Sequence, residues 1–433
     1  MKFMKTIIQQ NRVKLKMNRL VTLFITTLLL FWIPLAYTAE VSDDNFLIAA
    51  ITDSNLGNEM LNKGNIAEAE YYFRKALDSY NKVSVPQKPE MGAILNQNLG
   101  YVLRKMNLYR EAITYYRNAF NFGMKADKKD WGLLRDVAYD IAEINLETEH
   151  ANDAETIEKA EFALKVDNAS GDQVNMNILH DIKLISIIYI ARGDINNAVN
   201  YKRQFVTGVA LMFGEDSLEL AQQRAELGQF LLANKKNKEA KQNLDRAHQI
   251  VKANPKAPFK LRALILTSVG MSLFMNQKYD QCLPIFKEID SLYQDNIMSL
   301  ELKQRDKLAS LYLSMGDVYI EKFQLDLADE YFQHSLRERI VSGYMDDIDI
   351  PILLFKIGQI AQRQEDYEKQ LRLYYRFTEL LLMHKPDTLK LKKNILILEV
   401  MLESAYKLFK EKGMSEMTQK TGQYMQSIGM SVQ

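Results

Sequence analysis

"NLGYVLRKMNLYREAITYYRNAF", residues 98–120, is the stretch from which the architecture can be read. Small residues stand at Gly100, Ala112 and Ala119, among large ones such as Tyr101, Leu108, Tyr109, Tyr116 and Phe120. Apolar Ile94, Leu95, Leu99, Val102 and Leu103 follow helical spacing up to a polar break, "KMN", at 105–107. Leu108, Ala112, Ile113, Tyr116, Ala119 and Phe120 then follow the same spacing. Two helices joined by a tight turn account for both runs. Small residues let such helices cross closely. Gly100 is expected to face Ala112, and Ala119 to make room for the next helix. Tyr116 and Leu99 fill the space beside the crossings. A bulky residue at Ala112 would overpack the crossing, at roughly 1–3 kcal/mol.

The pattern recurs. Gly57 is followed by Ala69, Phe73 and Ala76 at offsets 12, 16 and 19. Gly228 has Ala240, Leu244 and Ala247 at those offsets, and Gly316 has Ala328, Phe332 and Ser335. Looser copies begin at Gly270, with Cys282, Phe286 and Ile289, and at Gly358, with Gln370, Tyr374 and Phe377. The weakest surround Ala142, Ser186 and Ala405. Successive starts, from 57 to 405, lie 42 to 47 residues apart. So steady a period reads as one repeat array rather than separate globular domains. The breaks "KGN" (63–65), "RGD" (192–194) and "NKKN" (234–237) offer Gly or Asn, which accept left-handed backbone at a helix end.

The spacing of small residue, Ala, aromatic and Ala resembles the tetratricopeptide repeat. The loop aromatics Tyr109, Tyr279 and Tyr367 match it too. The period near 42 is similar to the longer-helix subclass that includes kinesin light chain and bacterial peptide-responsive regulators. The resemblance implies an all-α fold: a right-handed α-solenoid superhelix of about nine helix-turn-helix repeats over residues 40–433. It also implies that first helices line a concave wall which grips an extended peptide or a partner's helix. The expected wall residues are Asn58, Asn62, Gln97, Tyr101, Arg104, Lys105, Gln229, Met271, Phe274, Asp317, Gln359 and Arg363, with Met275, Glu321 and Phe355 beside them. Met271, Phe274 and Met275 read either as an adaptable apolar patch or as packing between repeats. The family's clamp for a terminal carboxylate is not expected. Ser54 stands where a lysine is required, and Asp136 and Asp140 would repel the ligand.

The chain has 433 residues, 47% hydrophobic and 26% charged, with a formal charge of +1. The first 39 residues hold Lys2, Lys5, Arg12, Lys14, Lys16 and Arg19 and no acid, so the rest is mildly acidic. An acidic body without a basic stripe argues against nucleic-acid binding. Basic residues lead into "LVTLFITTLLLFWIPLA" (20–36) and "YTAE", the form of an export signal. Cleavage near Ala39 and a retained anchor both stand as readings, and translation could start at Met1 or Met17. Cys282 is the one cysteine, so no internal disulfide forms and a lipoprotein-type lipid anchor is excluded.

No catalytic or cofactor chemistry is legible. His150, His180, His248, His334 and His384 form no metal-spaced pair. Phosphate loops and nucleophile elbows are missing. "YMDDIDIP" (344–351) lacks the alternating ligands and glycine of a calcium loop. Cys282 sits at a small packing position, which suits an inert thiol. The expectation is a non-enzymatic scaffold, without cofactor or metal, that is exported and binds a protein or peptide in the bacterial periplasm or envelope. The alternative is an extracytoplasmic sensory module acting on a separate membrane histidine kinase or diguanylate cyclase. The partner, pathway and oligomeric state are not written in the sequence.

Overall fold

The structure is a computed structural model that describes residues 40–84, 88–171, 174–343, 348–383 and 395–431. The export-signal reading at 1–39, with its alternative start at Met17, lies outside the described residues. So do His384 and residues 344–347 of the acidic link. Among the described residues there are eighteen α-helices and no strand. None of these helices is long and apolar enough to cross a membrane.

The helices fall into two compact units that divide at Gly171 and Asp172. The first contains α1 (Glu40–Lys63), α2 (Ile66–Asn81), α3 (Pro89–Lys105), α4 (Tyr109–Lys125), α5 (Trp131–Glu147) and α6 (Ala154–Ala169). The second begins with α7 (Met176–Ala191), α8 (Ile195–Phe213), α9 (Leu218–Ala233), α10 (Asn237–Ala253), α11 (Phe259–Met275) and α12 (Tyr279–Gln294). It continues with α13 (Leu302–Glu321), α14 (Leu325–Val341), α15 (Asp349–Arg363), α16 (Tyr367–Met383), α17 (Ile395–Glu411) and α18 (Ser415–Ser427). In both units each odd-numbered helix pairs with the one after it, as the sequence period requires.

Local chemistry sets the boundaries. Asp130, Asp194 and Ser217 accept backbone N–H groups at the starts of α5, α8 and α9. Pro89 opens α3, where its missing N–H costs nothing. Each hairpin turn holds one left-handed residue, seven after the small position in eight of the nine described hairpins: Gly64, Asn107, Glu149, Gly193, Lys235, Gln277, Phe323 and Glu365. Gly or Asn fills this place at Gly64, Asn107 and Gly193, and other residue types at the remaining five. At 234–237 it is Lys235, not either Asn, that turns left-handed. Paired backbone hydrogen bonds offset the strain. Lys235 N–H donates to the Leu232 carbonyl at 3.0 Å, and Lys236 N–H to the Leu231 carbonyl at 2.9 Å.

The ninth hairpin turns at Gly413, with the same pair of hydrogen bonds from Gly413 and Met414. Seven residues back is Tyr406, so the repeat begins there and not at Ala405. Position 16 of this copy is then Gly422. Large and small residues have exchanged places, and this hid the register in the sequence.

The small residues also pack differently from the expected pairing of Gly100 with Ala112. Gly100 does not chiefly face Ala112. A methyl group on Gly100 would lie 3.1 Å from the Tyr116 ring. The same holds at Gly57 under Phe73 (2.6 Å), Gly228 under Leu244 (2.6 Å), Gly270 under Phe286 (2.5 Å) and Gly358 under Tyr374 (2.7 Å). The residue sixteen positions on lies flat against the glycine. In these hairpins it forms the centre of the core, with buried Ala69, Ala112, Ala240, Cys282 or Ala328 nearby in sequence at offset 12.

Candidate functional site: the inner face of the first helices

In the second unit, first helices are laced together at a fixed place. The residue one after the small position reaches the residue two before the next small position. Gln229 Nε2 donates to Ser268 Oγ at 2.7 Å, from α9 to α11. Ser314 Oγ of α13 lies 3.8 Å from Met271 Sδ of α11. The Lys356 ammonium of α15 is ion-paired with Asp317 of α13. Three expected wall residues, Gln229, Met271 and Asp317, therefore hold neighbouring repeats together.

Above this lacing, α11, α13 and α15 enclose a concavity of about 290 Å³. Four expected residues meet in it: Phe274, Asp317, Gln359 and Arg363. Phe332 and Ile360 form part of its floor, and Tyr279 stands at one wall. The Lys356 Nζ sits 5.4 Å from the centre of the Phe332 ring, so its charge is met by a carboxylate and a π-face together. Partial burial and the Glu321 carboxylate hold the Tyr279 hydroxyl above its ordinary pKa. Glu321, Gln359 and Arg363 are exposed. None of these three has a hydrogen-bond or ion-pair partner among the described residues.

Lys356, Phe332 and Ile360 were missed by sequence reasoning. Phe332 stands at offset 16 of its repeat, and it and Ile360 pack in the core while also bordering the cavity. Lys356 left one signal. Asp317 and Lys356 are 39 residues apart, as are Gln229 and Ser268, a recurrence of complementary residues between adjacent repeats. Phe355 departs from the expected wall. It is buried against Tyr374 and Phe377, with ring centres 5.4 and 5.6 Å away, because the apolar face of α15 turns it into the core. The Met271–Phe274–Met275 group divides. Phe274 packs on Tyr279 and Phe286, Met271 joins the lacing, and Met275 is exposed.

The first unit places its expected residues differently. Arg104 forks between Asp140 and Glu143 of α5, with Glu147 3.7 Å away. Its guanidinium therefore ties α3 to α5 rather than standing open. Burial pushes the Asp140 carboxyl up to about 6 against the pull of Arg104. Lys105 lies 5.2 Å from the centre of the exposed Tyr101 ring. Asn58 and Gln97 are half-buried and Asn62 is exposed.

Other sequence features have structural roles. Gly193 of "RGD" is the left-handed turn residue and Asp194 caps α8. Asp349 of the acidic link pairs with buried Arg339 at 2.6 Å. Cys282 is fully buried, and burial pushes its thiol up to about 11. Among the described residues no group of His, Cys, Asp or Glu is arranged to hold a metal ion.

Comparison with known proteins follows the same lines. A family model described as tetratricopeptide repeat matches residues 54–89, and a second of that description matches 93–121 and 309–339. No curated protein matches the chain. Among solved structures it is similar to aspartyl phosphate phosphatase F from Bacillus subtilis, at 15% identity and TM-score 0.46 over 93% of this chain and 98% of that one. The apo quorum sensor NprR from B. thuringiensis matches at 13% identity and TM-score 0.42, over 86% and 95%. A tetratricopeptide repeat protein from Parabacteroides merdae matches at 14% identity and TM-score 0.38, over 66% and 92%. At such values the likeness concerns the helical fold alone. The chain thus carries tetratricopeptide repeats within an all-α array of helix-turn-helix pairs, a scaffold suited to protein–protein interaction.

Proposed function

We propose that the chain is an exported, non-enzymatic scaffold that binds a protein or peptide segment along its first helices, in the bacterial periplasm or envelope. The observation that carries this reading is the cavity between α11, α13 and α15. Phe274 and Tyr279 line it together with Gln359, Glu321 and Arg363, whose polar groups have no partner among the described residues. An apolar floor with a few convergent polar groups is the usual form of a binding site. The export part rests on the basic-then-apolar leader at 1–39.

A photo-crosslinking side chain at Gln359 is expected to capture a discrete partner in the living cell. The same side chain at exposed Lys287 of α12 is expected not to. Equal adducts at both positions would remove the inner face from consideration. Residues 1–39 fused to alkaline phosphatase, which is active only outside the cytoplasm, are expected to give activity. An inactive fusion would overturn export.

A further inference from the structure

Acid and base face each other twice across α13 and α15. The inner couple, Asp317 and Lys356, closes into an ion pair. The outer couple does not. Glu321 and Arg363 occupy equivalent places, five residues after Gly316 and Gly358, and both line the cavity. Neither has a partner among the described residues. Helices in contact lie about 8–10 Å apart, so two charges at one height on neighbouring first helices leave a gap that a ligand with two poles would span. The half-buried ring of Phe274 lines the same cavity. The cavity, about 290 Å³, is at the small end of ligand pockets, which run from about 300 Å³ upward. That size suits one or two residues rather than a helix.

We infer that this cavity binds a small zwitterion, a free amino acid or dipeptide with an apolar side chain. The ammonium lies toward Glu321, the carboxylate toward Arg363 and the side chain on the half-buried ring of Phe274. Such binding uses the cavity described above but needs no protein partner. Tyr279 adds a hydroxyl on the Glu321 side, where the carboxylate already influences its ionisation.

The test is calorimetric titration of the full chain with phenylalanine, Leu-Phe and Phe-Leu, and with the N-acetylated and C-amidated forms of each. At least one free form is expected to bind saturably, and each blocked form to bind about tenfold more weakly, the worth of one charge-assisted hydrogen bond. Glu321→Gln is expected to remove the penalty for acetylation only, and Arg363→Gln the penalty for amidation only. Both side chains are exposed, so an unchanged melting temperature will show that the variants fold. Absence of saturable binding by every free form, or equal binding of free and blocked forms, would overturn the inference. If Gln359 still captured a protein in that case, the scaffold reading would survive.

Discussion

At the scale of single residues, the glycines carry the most information. A methyl group on Gly270 would stand 2.5 Å from the rigid Phe286 ring, whereas on Gly100 it would stand 3.1 Å from Tyr116. Gly270→Ala is therefore expected to lose about 1–3 kcal/mol to overpacking, more than the roughly 1 kcal/mol gained in helix propensity. Gly100→Ala should be milder. Urea midpoints of the two variants will rank them, and the opposite order would refute the packing assignment. Cys282 offers a second check at this scale. With its thiol buried and pushed up to about 11, it is expected to resist alkylation at pH 8 in the native state and to react once urea unfolds the chain.

At the scale of elements, turns and ion pairs join helices that also share a packed apolar core. Lys235 holds a left-handed conformation that costs an ordinary residue roughly 1–2 kcal/mol. Glycine adopts it freely but adds chain entropy to the unfolded state. Lys235→Gly is expected to stabilise the α9–α10 hairpin by about 0.5–1 kcal/mol, read as a higher urea midpoint. Asp140 governs a pH response in the contact of α3 with α5. Its folded pKa, about 6, lies above the ordinary 3.8. The stability it contributes is therefore complete below 3.8 and is lost as pH rises through 6. Asp140→Asn should flatten the decline of unfolding free energy from pH 4 to 6. An unchanged slope would mean that Arg104 dominates the carboxyl.

At the scale of the molecule, each repeat contacts chiefly its neighbours within its own unit, so damage should stay local. Phe332 fills the centre of the α13–α14 hairpin and is fully buried. Phe332→Ala is expected to cost about 3–5 kcal/mol locally. Hydrogen exchange should speed up in α13, α14 and α15 and change far less in α7 and α8 of the same unit. Uniform acceleration across all of α7–α18 would show that the unit unfolds as one block.

Periodicity was enough to find the hairpins, because a small residue under a large one must recur wherever two helices cross. It placed the first helix in eight of nine described hairpins, and offsets 12 and 16 are both buried in six of them. In the Ala142 copy Ala154 and Glu158 are exposed, because the second helix starts late and buries Thr156 and Ala160 instead. The ninth escaped because Tyr406 and Gly422 swap sizes, a change that preserves volume but not pattern. The left-handed residues at Glu149, Lys235, Gln277, Phe323 and Glu365 escaped because backbone hydrogen bonds, not residue type, hold them there. The site was half legible. Counting from the small positions gave Phe274, Asp317, Gln359 and Arg363, which the fold brings to one cavity. Counting could not say that Arg104 and Asp317 are engaged by carboxylates or ammonium while Glu321 and Arg363 stay open. Helix, turn and repeat follow from neighbours a few residues apart along the chain. Which charges meet depends on side chains about forty positions away, and only packing brings those together.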